Sequence, residues 1–191
     1  MNIYRYITTF ISSAKLFLLI LATCSFWGKS YCQTGAYQNS VIDINGKRHP
    51  LQQFNGRKIW VVVLPVSQTA ADTAFLNRVD SIARVNAGQV QTIVVPTYET
   101  GYGQRGNLQG WYASVFNQNV IISKPVYAYA RSVGKQDGFF NWLTHSSQNA
   151  HFDNELSGPG TMFLIDGQGN LTGVLGAATM WNNQALNLIF R

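Results

Sequence analysis

The sequence predicts an α/β sandwich: a mixed central sheet with helices on both faces. Three observations carry this. Ile59 to Leu64 (IWVVVL) is a continuous apolar run rich in β-branched residues, the pattern of a strand covered on both sides. Phe75, Val79 and Ile82 follow at helical spacing, and Gln89 to Val95 (QVQTIVV) is a second run, stopped by Pro96. Strand, amphipathic helix and strand in that order form a β-α-β unit with parallel strands and a right-handed crossover.

The remaining elements follow in chain order. Ser40 to Ile44 alternates and meets Asn45-Gly46, a strong hairpin signal. Asn55-Gly56 marks a further turn before the first long strand, and Gly88 is the expected stop of the first helix. Leu108, Trp111, Tyr112, Val115 and Phe116 fall on one helical face. A long loop follows, then a short helix around Phe139, Phe140, Trp142 and Leu143. Thr161 to Ile165 reads as a strand, Asp166 to Asn170 as a tight turn, and Leu171 to Leu175 as its antiparallel return. Gln184 to Phe190 closes as a helix. The Trp111, Trp142 and Trp181 side chains and the many tyrosines are expected to serve mainly as packing.

Composition narrows the class of protein. Of 191 residues, 46% are apolar and 12% charged, which excludes an intrinsically disordered chain. Two cysteines, Cys24 and Cys32, cannot staple a chain of this length. The formal net charge is +6, so its distribution matters. Residues 1–32 carry Arg5, Lys15, Lys29 and no acid. Without them eleven bases face eight acids, a net charge of +3, and only Lys47-Arg48 and Arg57-Lys58 are adjacent. No basic stripe remains to follow a phosphate backbone, so nucleic acid is not an expected partner.

The first 32 residues read as an export signal. Leu16 to Phe26 is an apolar run of eleven residues after a basic stretch. A membrane-spanning helix needs roughly 20, whereas a secretory signal has this shorter format. Two processing schemes stand: cleavage after Cys32, or a lipobox at Leu21 to Cys24 with Cys24 lipidated. The expected organisation is a signal peptide over 1–32 and one domain over 33–191. The expected location is periplasmic or secreted, with membrane attachment only through Cys24.

Several motifs together resemble the glutathione peroxidase form of the thioredoxin fold. Ile42-Asp43-Ile44-Asn45-Gly46-Lys47 resembles that family's opening hairpin, and Leu51 to Lys58 its following turn. Ile59 to Thr69 resembles the strand leading to the nucleophile loop. Val95-Pro96, Gly101 to Gly106, Val120 to Val126 and Thr161 to Gly169 match later family segments in order. The thioredoxin-like thiol oxidoreductases share the last of these. The resemblance covers roughly residues 40–190.

The resemblance implies thiol-dependent hydroperoxide reduction, yet the expected chemistry is missing. The peroxidatic Cys position aligns with Thr69, the family's Gln with Glu99, and its Trp-Asn pair with the neighbourhood of Gly158 and Pro159. A Cys-x-x-Cys alignment would place its sulfurs at Thr69 and Asp72. No thiol stands at any of these. A threonine hydroxyl cannot run a sulfenate cycle. Thr69-Ala70-Ala71-Asp72 reads instead as a helix capping box. The expected cleft comprises Gln68, Thr69, Asp72, Glu99, Gly158 and Pro159.

The expectation is therefore an exported, non-catalytic binding relative with an unspecified protein or small-molecule partner in the envelope and no cofactor. Two alternatives stand beside it. One is a redox or peroxidase-type enzyme using a partner's thiol or a retained Cys32. The other is a thiol-independent enzyme in the same cleft, built on Glu99, Asp72 or the His145–His151 loop. Three further motifs receive bland readings. Gly101-Tyr102-Gly103-Gln104-Arg105-Gly106 is a literal GxGxxG, but Pro96 to Thr100 intervene after the strand and no acid follows at the right distance. It reads as a loop, with Glu99 and Arg105 as a solvated pair. His145, His151, Asp153 and Glu155 match no zinc spacing and read as a polar surface loop, with a metal site on His145, His151 and Asp153 as the lesser alternative. Asn170-Leu171-Thr172 is a glycosylation sequon that coincides with a turn.

Overall fold

A computed structural model describes residues 35–132 and 134–190. The expected leader, Cys24 and Cys32 lie outside these residues. Strands β1 (Ser40–Ile42) and β2 (Arg48–Pro50) form an antiparallel hairpin. A five-stranded sheet follows, built from β3 (Lys58–Val63), β4 (Val90–Val95), β5 (Val120–Ile122), β6 (Met162–Ile165) and β7 (Leu171–Leu175). Its spatial order is β5-β4-β3-β6-β7. β3, β4 and β5 run parallel, while β6 and β7 run antiparallel to their neighbours. The mixed α/β architecture is the expected one.

The helices are α1 (Ala70–Val85), α2 (Leu108–Val115), α3 (Gly138–Thr144), α4 (Ser146–Asn149) and α5 (Asn183–Phe190). None among the described residues is long and apolar enough to cross a membrane. The alternation of β3 divides the core. Trp60, Val62 and Leu64 pack with Leu76 and Val79 of α1, Leu108 and Tyr112 of α2, and Leu186 and Phe190 of α5. Ile59, Val61 and Val63 face the other way, onto Leu51, Phe54, Phe139 and Phe140. Each such side chain contributes about 1.5–3 kcal/mol when fully buried, and β3 supplies them to both cores. That is why its run is apolar without interruption.

Three expectations need correction. The long loop after α2 contains β5, parallel to β4 in register Thr92 opposite Val120. Three residues are too short for a periodic signal, and pairing makes the strand. The hairpin then covers its edge: Ile44 N–H donates to Ile122 O and Lys124 N–H to Ile42 O, at 2.9 and 2.8 Å. Second, α1 ends at Asn86, whose side chain donates to Ile82 O, and not at Gly88. Third, the His145–His151 segment is not a plain loop. It holds α4, anchored by Asn149, which is buried and donates to Trp142 O and Phe152 O.

Candidate functional site

β3 delivers the chain to the amino end of α1, with Thr69 as its cap. Asp72 N–H donates to Thr69 Oγ1 at 3.1 Å, and Thr69 N–H donates to Asp72 Oδ2 at 3.3 Å. The capping box read from the sequence is closed in both directions. Thr69 is exposed. Before it, Gln68 holds a φ of +57°, a left-handed conformation that a side chain resists. Tyr112 fixes this loop from below by donating its hydroxyl to Pro65 O at 2.8 Å. Burial pushes the Tyr112 hydroxyl far above its ordinary pKa, with Tyr102 and Asp72 adding to the shift.

The Gly158–Gly160 turn adjoins the end of β3. Gly160 N–H donates to Val63 O at 2.8 Å, and Val63 N–H donates to Thr161 O at 2.9 Å. Pro159 is exposed between two glycines with φ of +127° and +84°. A side chain at Gly160 would meet Ala177 Cβ at 2.5 Å and Phe75 at 3.5 Å. The turn therefore presses on α1 and on the chain before α5, and only glycine fits there.

Glu99 lies after β4, and its role differs from the expected pairing with Arg105. Its Oε1 accepts from Ala128 N–H at 2.9 Å, Tyr129 N–H at 3.1 Å and Ser132 Oγ at 2.7 Å. Its Oε2 is buried without a partner among the described residues. Glu99 thus pins the 128–132 loop to the end of β4. The Tyr129 hydroxyl reaches 4.0 Å from where a Gly158 Cβ would stand. Burial raises the Tyr129 pKa; Arg131 opposes this, and Glu99 and Glu155 add to it.

The expected cleft residues therefore form two sets. Gln68, Thr69 and Asp72 build the helix cap, and Glu99 connects through Tyr129 to Gly158 and Pro159. No hydrogen bond or ion pair among the described residues joins the sets directly. Two hydroxyl-bearing groups here, the exposed Thr69 and the buried Tyr129, are both protonated at neutral pH, since a raised phenol pKa lies above 10. The Thr69 and Tyr129 hydroxyls offer hydrogen bonds here, beside the carboxylates of Asp72 and Glu99.

The alternative metal set does not assemble. His145 Nδ1 lies 3.1 Å from Thr144 Oγ1 and 3.0 Å from Asn141 O. Asp153 accepts from Ser146 Oγ and Ser146 N–H, both at 2.6 Å, and these bonds hold its carboxyl below the usual range. Asp153 caps α4 and is not presented to a shared centre. Among the described residues, no three His, Cys, Asp or Glu side chains gather as a metal site. Gly101 to Gly106 is a loop with a short 3-10 turn at Tyr102–Gln104, and Asn107, not a glycine, caps α2. Asn170 binds Asp166 within its turn.

Sequence reasoning missed the tyrosines around Glu99. Tyr98 is 42% exposed and Trp181 59% exposed, so neither is the expected packing residue. The available signal was density: Tyr98, Tyr102, Tyr112, Tyr127 and Tyr129 occupy one stretch between β4 and α3.

No family model matches the chain, and no curated protein matches it in sequence. Solved structures share its architecture. One is described as Trgpx in apo form, 14% identical, covering 82% of this chain and 93% of that one at a TM-score of 0.60. T. cruzi GPX1 is 12% identical, with 82% and 97% covered and a TM-score of 0.54. A thiol:disulfide interchange protein of the thioredoxin family from Chlorobium tepidum TLS is 15% identical, with 83% and 97% covered at 0.50. The chain has a thioredoxin-like fold. At these identities the likeness is one of fold.

Proposed function

We propose that this chain is an exported thioredoxin-fold protein without thiol catalysis, serving as a binding module in the cell envelope. One observation carries the reading. The position at which the resemblance expects a nucleophile holds Thr69, closed onto Asp72 as a helix cap. The helix amino end, whose dipole would favour a thiolate, is occupied by a structural bond instead. All sulfur after residue 32 belongs to methionine, so residues 33–191 bring no thiol of their own.

Export rests on the basic, then apolar, pattern of residues 1–32. Cleavage after Cys32 gives a free domain, and lipidation at Cys24 gives an anchored one. The intact mass of the protein recovered from its host separates these products, and retention of Met1 would sink both.

The catalytic test is direct. Purified protein is mixed with hydroperoxide and a thiol reductant. The expected rate equals that of the heat-inactivated control. Turnover above it that disappears in Cys32→Ser would replace this reading with a redox enzyme working through Cys32.

A further inference from the structure

Between Tyr98 and Lys135 the chain carries one acid and four bases: Glu99 against Arg105, Lys124, Arg131 and Lys135. The acid is spent inward, on Ala128, Tyr129 and Ser132. The bases stay out: all four are exposed. Arg131 lies over the Tyr129 ring at 4.5 Å, and Lys135 over the Tyr127 ring at 5.5 Å. Neither belongs to an ion pair among the described residues, where the pairs are His49–Asp43 and Arg84–Asp80. Glu155 is the other carboxylate near Tyr129.

Tyr98, Tyr102 and Tyr127 join Lys135 in one cluster, and Arg131 lies beside it on the turn that Lys135 N–H closes onto Ser132 O at 2.9 Å. Tyr98 packs against Tyr127 at 4.8 Å and meets Tyr102 edge-on at 6.3 Å. The hydroxyls of Tyr98, Tyr102 and Tyr127 have no hydrogen-bond partner among the described residues, and they are not buried. The face is held from behind. Tyr98 N–H donates to Val126 O at 3.0 Å, Asp137 N–H donates to Tyr127 O at 2.8 Å, and Glu99 ties the loop between them. A face ordered before binding avoids the entropy of ordering it afterwards.

Its chemistry is that of an anion-binding surface with several unbonded hydroxyls. The rings lie against one another at 35° and 90°, and Lys135 takes a face of Tyr127. That arrangement favours hydrogen bonding over the open stacking platforms that hold single-stranded nucleic acid. We propose that Tyr98, Tyr102, Tyr127, Arg131 and Lys135 bind an acidic glycan, a chain of uronic-acid sugars. Its ring hydroxyls bond the tyrosine hydroxyls, and its carboxylates pair with Arg131 and Lys135. This deepens the binding-module reading and rests on it. The hydroperoxide assay tests that reading, and a glycan titration without turnover tests this one.

The experiment is calorimetric titration of the full chain with oligogalacturonate and with its methyl ester. The free acid is expected to bind saturably and the ester at least about tenfold more weakly. Arg131→Gln with Lys135→Gln is expected to give a similar loss. Tyr98→Phe with Tyr127→Phe keeps the ring contacts, removes two hydroxyls, and is expected to weaken binding at unchanged melting temperature. Absence of saturable binding, or equal binding of acid and ester, overturns the proposal. So does equal affinity for polyglutamate or a single-stranded oligonucleotide, which marks a general polyanion surface.

Discussion

Asp72 N–H donates to Thr69 Oγ1 at 3.1 Å while Asp72 Oδ2 accepts the Thr69 amide at 3.3 Å. The two residues close the first turn of α1, and Thr73 adds its amide and its hydroxyl to Thr69 O at 2.9 and 3.0 Å. Thr69→Ala removes one acceptor and is expected to lower stability by about 1 kcal/mol. Thr69→Ser keeps the acceptor and is expected to stay near the parent. Urea unfolding reads both. A loss in Thr69→Ala well beyond the cap value would show that Thr69 holds more than its helix.

Gln68 precedes that cap at φ +57°. The left-handed region costs a side chain roughly 1–2 kcal/mol, and glycine returns part of this as unfolded-chain entropy. Gln68→Gly is expected to stabilise the fold by about 0.5–1 kcal/mol. A destabilised variant would mean that the Gln68 side chain makes a compensating contact.

Gly160 stands against Ala177, at φ +84°. Gly160→Ala combines a forbidden approach with a strained backbone and is expected to destabilise by about 1–3 kcal/mol. Pairing it with Ala177→Gly removes the 2.5 Å clash but not the φ strain, so partial recovery is expected in thermal unfolding. Full recovery would reduce the role of the backbone to nothing.

Glu99 joins β4 to the 128–132 loop through one carboxylate oxygen. Glu99→Ala strands the Ala128 and Tyr129 amides and is expected to cost about 1–3 kcal/mol. Amide exchange should accelerate at residues 128 and 129 before it does so in the sheet. Uniform acceleration would place Glu99 in the global fold instead of the loop.

Asp80, 7% exposed, ties α1 to the chain before β5 by accepting from Asn117 N–H at 2.9 Å, and within α1 it accepts from Arg84 at 2.6 Å. Burial pulls its carboxyl pKa up, but the bonds from Asn117 and Arg84 outweigh this and hold it below the ordinary value. A depressed folded-state pKa stabilises above the unfolded value of about 3.9 and is lost as pH falls through the folded one. Asp80→Asn is therefore expected to lower stability at neutral pH and to narrow its gap to the parent below pH 4. A gap that is constant across the acid range would remove ionisation from the explanation.

The parts that were legible share a physical scale. The capping box spans four residues, and Thr69 to Asp72 is readable because its donors and acceptors are neighbours in sequence. The β3 run is readable because two-sided burial favours apolar side chains on both of its faces, from Ile59 to Val63. β5 was not readable: Val120 to Ile122 becomes a strand only by pairing with Thr92 to Val94. Glu99 was assigned to Arg105, six residues away, because a linear reading sees the nearest opposite charge. Its partners lie 29 to 33 residues on.

The sequence by itself determined the β-α-β unit, the absence of a thiol after Cys32 and the cap at Thr69. These depend on composition and on contacts within a helical turn. The tertiary structure decided where Glu99 points, which tyrosines reach the surface, and that the Gly158–Gly160 turn presses on α1. Each of those is set by packing between segments far apart in the chain. A tyrosine in isolation suits a core and a surface equally well, and only its neighbours choose between them.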